Sequence, residues 1–546
     1  MADKLFDRRD FLSGAVTAAT SLASPRLIGG AATVLGLAAS PARAEEPRRG
    51  GVMNIILQPE PATLVLALNI TSQNQLVASK IYSGLLTYGF DLKPLPNLAT
   101  SWEISPDGLT YTFHLAKNAK WHDGKPFTAD DVIFTTREML PEVHARARVN
   151  FSQVASAEAP DPHTVIFHLK TPYPGFICAF ETSSAPMMPK HIYAGTDYRN
   201  NPANEHPIGT GPFRFKEWQR GSIVRMERNP DYFKPGLPYL DGINFVVIPD
   251  GAQRLIALET GQVHLASSSD IEFNDLARLR ELPNIQLETR GYEFLAPLSW
   301  LEMNNTRKPM DDKRFRQAVM YALDRDFIRD KIFYGFARVP TGPIHSAVSF
   351  YDGNVKRYPF DRKKSEALLD EMGLKRGADG MRVKLELNPA PISQTWMRLV
   401  QYTKQALRQV GIDVTIRNMD QASSVASMGN HDFDMCFVTN TAFGDPAVGV
   451  ARSYITSNIR KGVPFTNTCQ YSNPRVDQLF DAAAKSNDRN ERQRLYTEVQ
   501  QILAEDVPVA WLLEMEYASS LNRQMRDVIT TGVGVSESFD RAWMTA

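Results

Sequence analysis

Cysteine is almost missing from this sequence: three in 546 residues, Cys178, Cys436 and Cys469. So few exclude a scaffold built on disulfides, and with none before Cys178 a lipid-anchored cysteine near the start is excluded as well. If a disulfide forms, Cys436 with Cys469 is the pair to expect, since both fall in the same part of the chain; packing as buried small apolar side chains fits the three equally. An excess of charge of either sign is also missing. Sixty-one basic against 61 acidic side chains leave no basic field for DNA or RNA, so attraction of a ligand must come from local groups. The enzyme signatures H-E-x-x-H, G-x-S-x-G, the Walker loop and C-x-x-C are all absent. Gly209-Thr210-Gly211 is only superficially a phosphate loop, because Pro212 removes a backbone donor and the third glycine of the dinucleotide fingerprint is lacking. It is a turn into a strand. The ten histidines are scattered, without helical i, i+4 pairs or a Cys/His cluster. No catalytic centre, cofactor or protein-held metal is expected.

What is present is ordinary soluble composition, 43% hydrophobic and 22% charged, in a chain too long for one core of ~100 to 200 residues. Two or more lobes are expected. The first residues read as an address: Asp7-Arg8-Arg9-Asp10-Phe11-Leu12-Ser13 looks like a twin-arginine export motif. Two weakly apolar runs follow, and Ala42-Arg43-Ala44 offers a cleavage site before Glu45. Pro25-Arg26 interrupts the apolar stretch, so no clean span of ~20 strongly apolar residues exists. A cleaved signal over residues 1–44 is the expectation. Without its five basic and three acidic residues, the mature chain carries 56 against 58 and stays near neutral.

Residues 102–140, WEISPDGLTYTFHLAKNAKWHDGKPFTADDVIFTTREML, hold the densest local signals. Leu109, Tyr111, Phe113 and Leu115 alternate with Thr110, Thr112 and His114, the pattern of a strand with one wet face. Pro106-Asp107-Gly108 supplies the turn before it, and Thr128 with Asp131 reads as a capping box for a helix starting into Val132 and Ile133. Elsewhere the pattern predicts a strand over Val52 to Leu57, a helix through Gln75 to Leu86, and apolar Phe245 to Ile248 leading to a helix capped by Asp250 and stopped at Gly261. From about Arg307 to Glu505, amphipathic helices alternate with short strands, the pattern of an α/β lobe. Phe315, Val319, Ala322, Leu323 and Phe327 recur at helical spacing and read as core.

The whole 102–140 string resembles the signature of the family 5 solute-binding proteins of ABC importers, the peptide, nickel and opine receptors. Further blocks follow in matching order: Pro207 to Phe213, Arg228 to Phe233, Asn304-Asn305 with Pro309, DDKRFRQAVMYALDRDFI, SEALLDEMGL, ALRQVGIDVTI, and the stretch from Val476 to Leu512. The resemblance runs from about Gly51 to Leu521. It implies an α/β, periplasmic-binding-protein-like fold, two lobes joined by a hinge with an additional inserted subdomain on the first. The implied division after the 1–44 signal is 45–87 for the first part of lobe I, 88–206 for the insert, 207–297 for the second part of lobe I, 298–505 for lobe III, and 506–546 for the C-terminal part of lobe I. Hinge segments are expected near 297–304 and 504–511. The implied role is a monomeric periplasmic receptor that captures a peptide-like or other small organic solute between the lobes and hands it to an inner-membrane ABC permease, with no bond made or broken.

Ligand contacts are expected at lobe edges facing the cleft. Asn69, Thr71 and Gln73 follow the first strand. Trp300, Glu302 and Asn304 lie at the expected crossover, where an aromatic wall and a polar handle meet. Asn440, Thr441, Phe443 and Asp445 follow the strand Phe433 to Val438, and loops at strand ends are where α/β lobes bind ligands. Each has a structural alternative: Asn304 satisfying hinge backbone, Trp300 in the core, Asp445 capping a turn before Pro446.

In peptide-binding relatives an aspartate in the loop matching Thr439 to Pro446 grips the ligand ammonium. Here the only acid, Asp445, is shifted toward the proline. Dipeptide receptors also carry an arginine for the ligand carboxylate before the helix ending near Gly411, and Asn388 to Met397 holds no basic residue. A simple dipeptide is therefore not the expected ligand. Two other readings stay open, an exported enzyme with a bound cofactor and a binding module that serves a sensor.

Overall fold

Val52–Leu57 is the strand on which the larger of two main sheets is centred. Met53, Ile55 and Leu57 join one hydrophobic core and Ile56 the other, so this strand is covered on both faces and its apolar run is nearly unbroken. The computed structural model describes residues 45–545; the export signal expected over 1–44 lies outside the described residues.

Seven strands make this sheet, in the order Ile285–Glu288, Ser519–Asn522, Leu265–Ala266, Val52–Leu57, Gly242–Val247, Ile223–Arg228, Phe213–Gln219. Val52–Leu57 runs parallel to Gly242–Val247, with Val52 opposite Gly242 and Leu57 opposite Val247, and parallel to Leu265–Ala266. The second sheet has six strands: Ala337–Arg338, Val509–Met515, Leu298–Met303, Met435–Asn440, Val383–Asn388, Ile412–Ile416. Its last three are mutually parallel, separated by the helices Gln394–Gln409 and Gln421–Gly429.

A four-stranded antiparallel sheet, Ala99–Ile104, Thr110–Leu115, Thr164–Leu169, Val154–Asp161, lies in the chain between the first and later strands of the seven-stranded sheet. Its expected alternation is present: Tyr111, Phe113 and Leu115 are buried, and Thr110, Thr112 and His114 are half-buried. Phe113, Phe151, Phe167, Phe176 and Phe180 form its aromatic core, with the rings of Phe113 and Phe180 4.5 Å apart. The capping box forms as well, the Thr128 N–H donating to Asp131 Oδ2 at 3.0 Å. Gly209 and Gly211 are indeed a turn into a strand. A Cβ on Gly211 would run into the backbone carbonyls of Lys80 and Ile81, so the close approach demands glycine.

Two local expectations differ from what is observed. The helix expected through Gln75 to Leu86 spans Ser72–Ala78. Thr71 caps it by accepting from the Asn74 N–H, and Leu86–Tyr88 instead pairs as a strand with Pro94–Pro96. The stripe of the helix Lys313–Ala322 stops short of Phe327, which is 43% exposed and stacks on Tyr402. Asp324 restarts the chain by capping a new turn, its carboxylate accepting from the Phe327 N–H. Of the two alternatives for the cysteines, the structure shows the buried apolar one: all three are free and buried, Cys436 and Cys469 included.

The chain passes between the two large sheets through residues 289–297 and 516–518. The expected crossings at 297–304 and 504–511 fall largely inside paired structure. Leu298–Met303 and Val509–Met515 are neighbouring strands of the six-stranded sheet, and their hydrogen bonding extends that sheet almost to the point where the chain leaves it.

Candidate functional site

Parallel strands point their carboxyl ends the same way, and the loops beyond those ends are where α/β sheets hold ligands. Here the loops of both large sheets converge. Gln58 follows Val52–Leu57, Arg254 comes shortly after Gly242–Val247, and Ser267 to Phe273 follow Leu265–Ala266. From the other sheet, Ile392, Ser393 and Trp396 follow Val383–Asn388, and Thr441 follows Met435–Asn440. All these positions border one cavity of about 620 Å³, within the size range of small-molecule sites. Tyr292 and Tyr517, one from each crossing segment, also line it, with ring centroids 5.5 Å apart. The two connections therefore meet through an aromatic contact at the cavity wall.

Glu272 joins the halves directly. It lies between two strands of the seven-stranded sheet, yet its carboxylate accepts from the backbone N–H groups of Gln394 at 3.0 Å and Thr395 at 3.3 Å, and from the hydroxyls of Ser393 at 3.2 Å and Thr395 at 2.8 Å. These belong to the start of the 16-residue helix Gln394–Gln409 in the other half. A helix N-terminus leaves unpaired N–H groups and a partial positive charge; Ser393 makes no side-chain cap there, and Glu272 does so across the gap. Beside it Phe273 packs on Phe333, which packs on Trp396, with ring centroids 5.1 and 5.4 Å apart.

Two residues earlier, Asp270 is 3% exposed. Its Oδ2 accepts from both the N–H and the hydroxyl of Ser267 at 2.7 Å. Burial pushes this carboxyl up to about 7, against the pull of the Ser267 donors and the Arg254 guanidinium. Arg254 is held by main-chain carbonyls: Nε donates to Asp270 O at 2.7 Å, and Nη1 to Ile248 O at 3.1 Å and Pro249 O at 2.7 Å.

The residues singled out from sequence fall in several places. Gln73 and Thr441 border the cavity from opposite halves; Gln73 donates to Gln58 O at 3.2 Å. Asn69 and Thr71 build the cap of the helix that carries Gln73, the Thr71 N–H donating to Asn69 Oδ1 at 2.9 Å. Trp300 is a buried strand residue facing the Tyr454 ring. Glu302 is buried beneath it, accepting from the Thr468 hydroxyl at 2.7 Å, with its carboxyl raised to about 7 by burial. Asn304 donates to the carbonyls of His431 and Phe433. Asn440 donates to Ser453 Oγ and accepts from the Thr441 N–H. The Phe443 ring lies under the guanidinium groups of Arg146 and Arg452, 3.8 and 5.4 Å from its centroid. Asp445 takes both oxygens to Arg492, at 2.7 and 2.9 Å, and caps the short helix Pro446–Gly449.

Sequence reasoning missed Ser267 to Glu272, Trp396, Tyr292 and Tyr517. The same rule that selected the Asn440 loop would have selected Ser267-Ser268-Ser269-Asp270, a polar run between a strand and a helix. Its strand, Leu265–Ala266, is only two residues long and leaves no alternation to detect.

Residues 93–467 match the model of the bacterial extracellular solute-binding proteins, family 5. The chain belongs to this family. The glutathione-binding protein GsiB of Pectobacterium atrosepticum is 31% identical over 465 residues, covering 83% of this chain and 87% of the relative. Among solved structures, the binding protein AgaA of A. tumefaciens R10 in complex with agropinic acid superposes with a TM-score of 0.78 at 26% identity, over 91% of this chain and 99% of that one. The periplasmic binding protein DppA of Helicobacter pylori in complex with the peptide STSA gives 0.77 at 25% identity, over 91% and 99%. The fold is thus the α/β periplasmic-binding-protein fold, and the function is that of a family 5 protein, solute binding for an ABC importer. Family 5 proteins are binding proteins rather than enzymes. No described helix is long and apolar enough to cross a membrane.

Two consequences can be measured. Glu272→Ala removes the cap on the helix Gln394–Gln409 and should lower stability by about 0.5 to 2 kcal/mol, with faster hydrogen exchange at the amides of Gln394 and Thr395; unchanged exchange there would contradict the cap. For Glu302 burial pushes the folded carboxyl up to about 7 from its ordinary 4.5, so its contribution is fully present below about pH 4.5 and is lost as pH rises through 7. Glu302→Gln should therefore gain melting temperature relative to the wild type between pH 5 and pH 8. A pH-independent difference would contradict the assignment.

Proposed function

We propose that the protein is a periplasmic receptor that takes a peptide-like or other small organic solute into the 620 Å³ cavity and delivers it to an ABC permease in the inner membrane. It acts as a monomer and reaches the periplasm by the twin-arginine route, with residues 1–44 removed. One lobe is built on the seven-stranded sheet and the other on the six-stranded sheet; the segments 289–297 and 516–518 are the hinge, and residues 88–206 are an insert on the first lobe. A solute touching both lobes binds the closed arrangement more tightly than the open one and shifts the population toward it.

The observation that carries this reading is the convergence of the strand-end loops of both sheets on a single cavity, with serine, threonine and glutamine side chains beside Trp396, Tyr292 and Tyr517. The relatives named for glutathione, a peptide and agropinic acid mark the chemical range. Asp445 is committed to Arg492, which supports a ligand held differently from a simple dipeptide.

The test is thermal unfolding of the mature chain with glutathione, short peptides, opines and nickel chelates. One class should stabilise, by about 2.7 kcal/mol when present at 100 times its Kd, and Thr441→Trp, which puts an indole at the cavity wall, should weaken the effect. Stabilisation by none of these classes, or full stabilisation of the Thr441→Trp protein, would overturn the reading.

A further inference from the structure

Every hydrogen bond to the Asp270 carboxylate lands on Oδ2, and Oδ1 has no donor among the described residues. The side chain is nonetheless 97% withdrawn from solvent and borders the cavity. Arg254 borders the same cavity, and its Nη2 makes no hydrogen bond among the described residues, while Nε and Nη1 are fixed on three carbonyls. Because Nε donates to Asp270's own backbone oxygen, the open acceptor and the open donor are held in one register. The third charged group on the wall, Glu272, is taken by the helix that it caps.

We propose that Asp270 and Arg254 form a cradle for the zwitterionic end of an α-amino acid, the ligand's ammonium donating to Asp270 Oδ1 and its neighbouring carboxylate accepting from Arg254 Nη2. This rests on the reading that the solute lies in the cavity, and it narrows the ligand class. An ammonium and a carboxylate on one carbon match two adjacent protein charges, whereas the ends of a linear peptide are separated by the length of the chain. Glutathione, through its γ-glutamyl end, and octopine both carry such a group; tetra-alanine does not. Charge-assisted bonds of this kind are the strong ones.

The titratable and charged groups that act on Asp270 are Arg254 from the helix Gly251–Glu259 and Tyr292 from the first crossing. An ammonium arriving at the carboxyl, which burial holds near 7, favours its ionised form. Binding near pH 6.5 therefore releases a proton.

The experiment is titration calorimetry of the mature protein with glutathione, N-acetylglutathione, octopine and tetra-alanine, in buffers of different ionisation enthalpy, for the wild type, D270N and R254K. The wild type should bind glutathione or octopine at least about tenfold more tightly than tetra-alanine. N-acetylglutathione should be no better than tetra-alanine, and D270N should lose the preference together with the proton release. R254K should weaken zwitterion binding while retaining the proton release. Equal affinity of the wild type for tetra-alanine, an unchanged Kd in D270N, or wild-type binding to none of the four would overturn the cradle. The first two results leave solute binding in the cavity intact, and the wild-type comparison holds even if D270N does not fold.

Discussion

The arrangement depends on a carboxylate of one half serving the backbone of the other. Glu272 sits on the loop after a two-residue strand of the seven-stranded sheet, and its partners are the first N–H groups of a long helix of the six-stranded sheet. Those N–H groups need an acceptor in any conformation. In the arrangement observed Glu272 is that acceptor; in the closure proposed above, water would take its place once the halves part, which offsets part of the cost of separating them. A receptor that closes on a guest, as proposed above, needs such an offset, since a ligand shifts an equilibrium only by its differential affinity.

The rest of the geometry follows from sharing strands. Leu298–Met303 and Val509–Met515 are paired neighbours, so both connections leave the six-stranded sheet side by side, and Tyr292 and Tyr517 touch where they cross. As the proposed hinge, two adjacent connections would allow rotation about a line while resisting other displacements. Beyond the crossing, each sheet presents the carboxyl ends of parallel strands to the same space, and that is why polar loops meet there rather than on an outer surface. The deeper acids have other duties. Asp445 ties Arg492 and the start of a short helix, and Glu302 is locked beneath Trp300 by Thr468.

Much of this was legible in the sequence where a local rule has one outcome. The alternation at Thr110 to Leu115, the box at Thr128 and Asp131, the cap at Asp250 and the core stripe from Phe315 to Ala322 all appear as read, because backbone periodicity and capping act within a few residues. The order of blocks gave the family. What stayed hidden depends on partners far away in the chain. Glu272 reads as a solvated charge until the helix at Gln394 is brought to it, and Asp270 reads as a turn residue until its burial is known. The helix Ser72–Ala78 begins at the Thr71 cap and ends at Ser79, well before Leu86, which pairs with Pro96 in a strand; periodicity alone marks neither end. Phe327 looked like core because spacing alone does not reveal that Asp324 ends one helix and starts another turn.

The central claim is that a guest lies between the two sheets and is held by both. Electron density for the small molecule bound to the crystallised mature protein tests it most directly. The account predicts density inside the cavity, in contact with the Ser267 to Asp270 loop on one side and with Trp396 or Thr441 on the other. A ligand bound with full affinity elsewhere on the molecule, with only solvent between those loops, would contradict it.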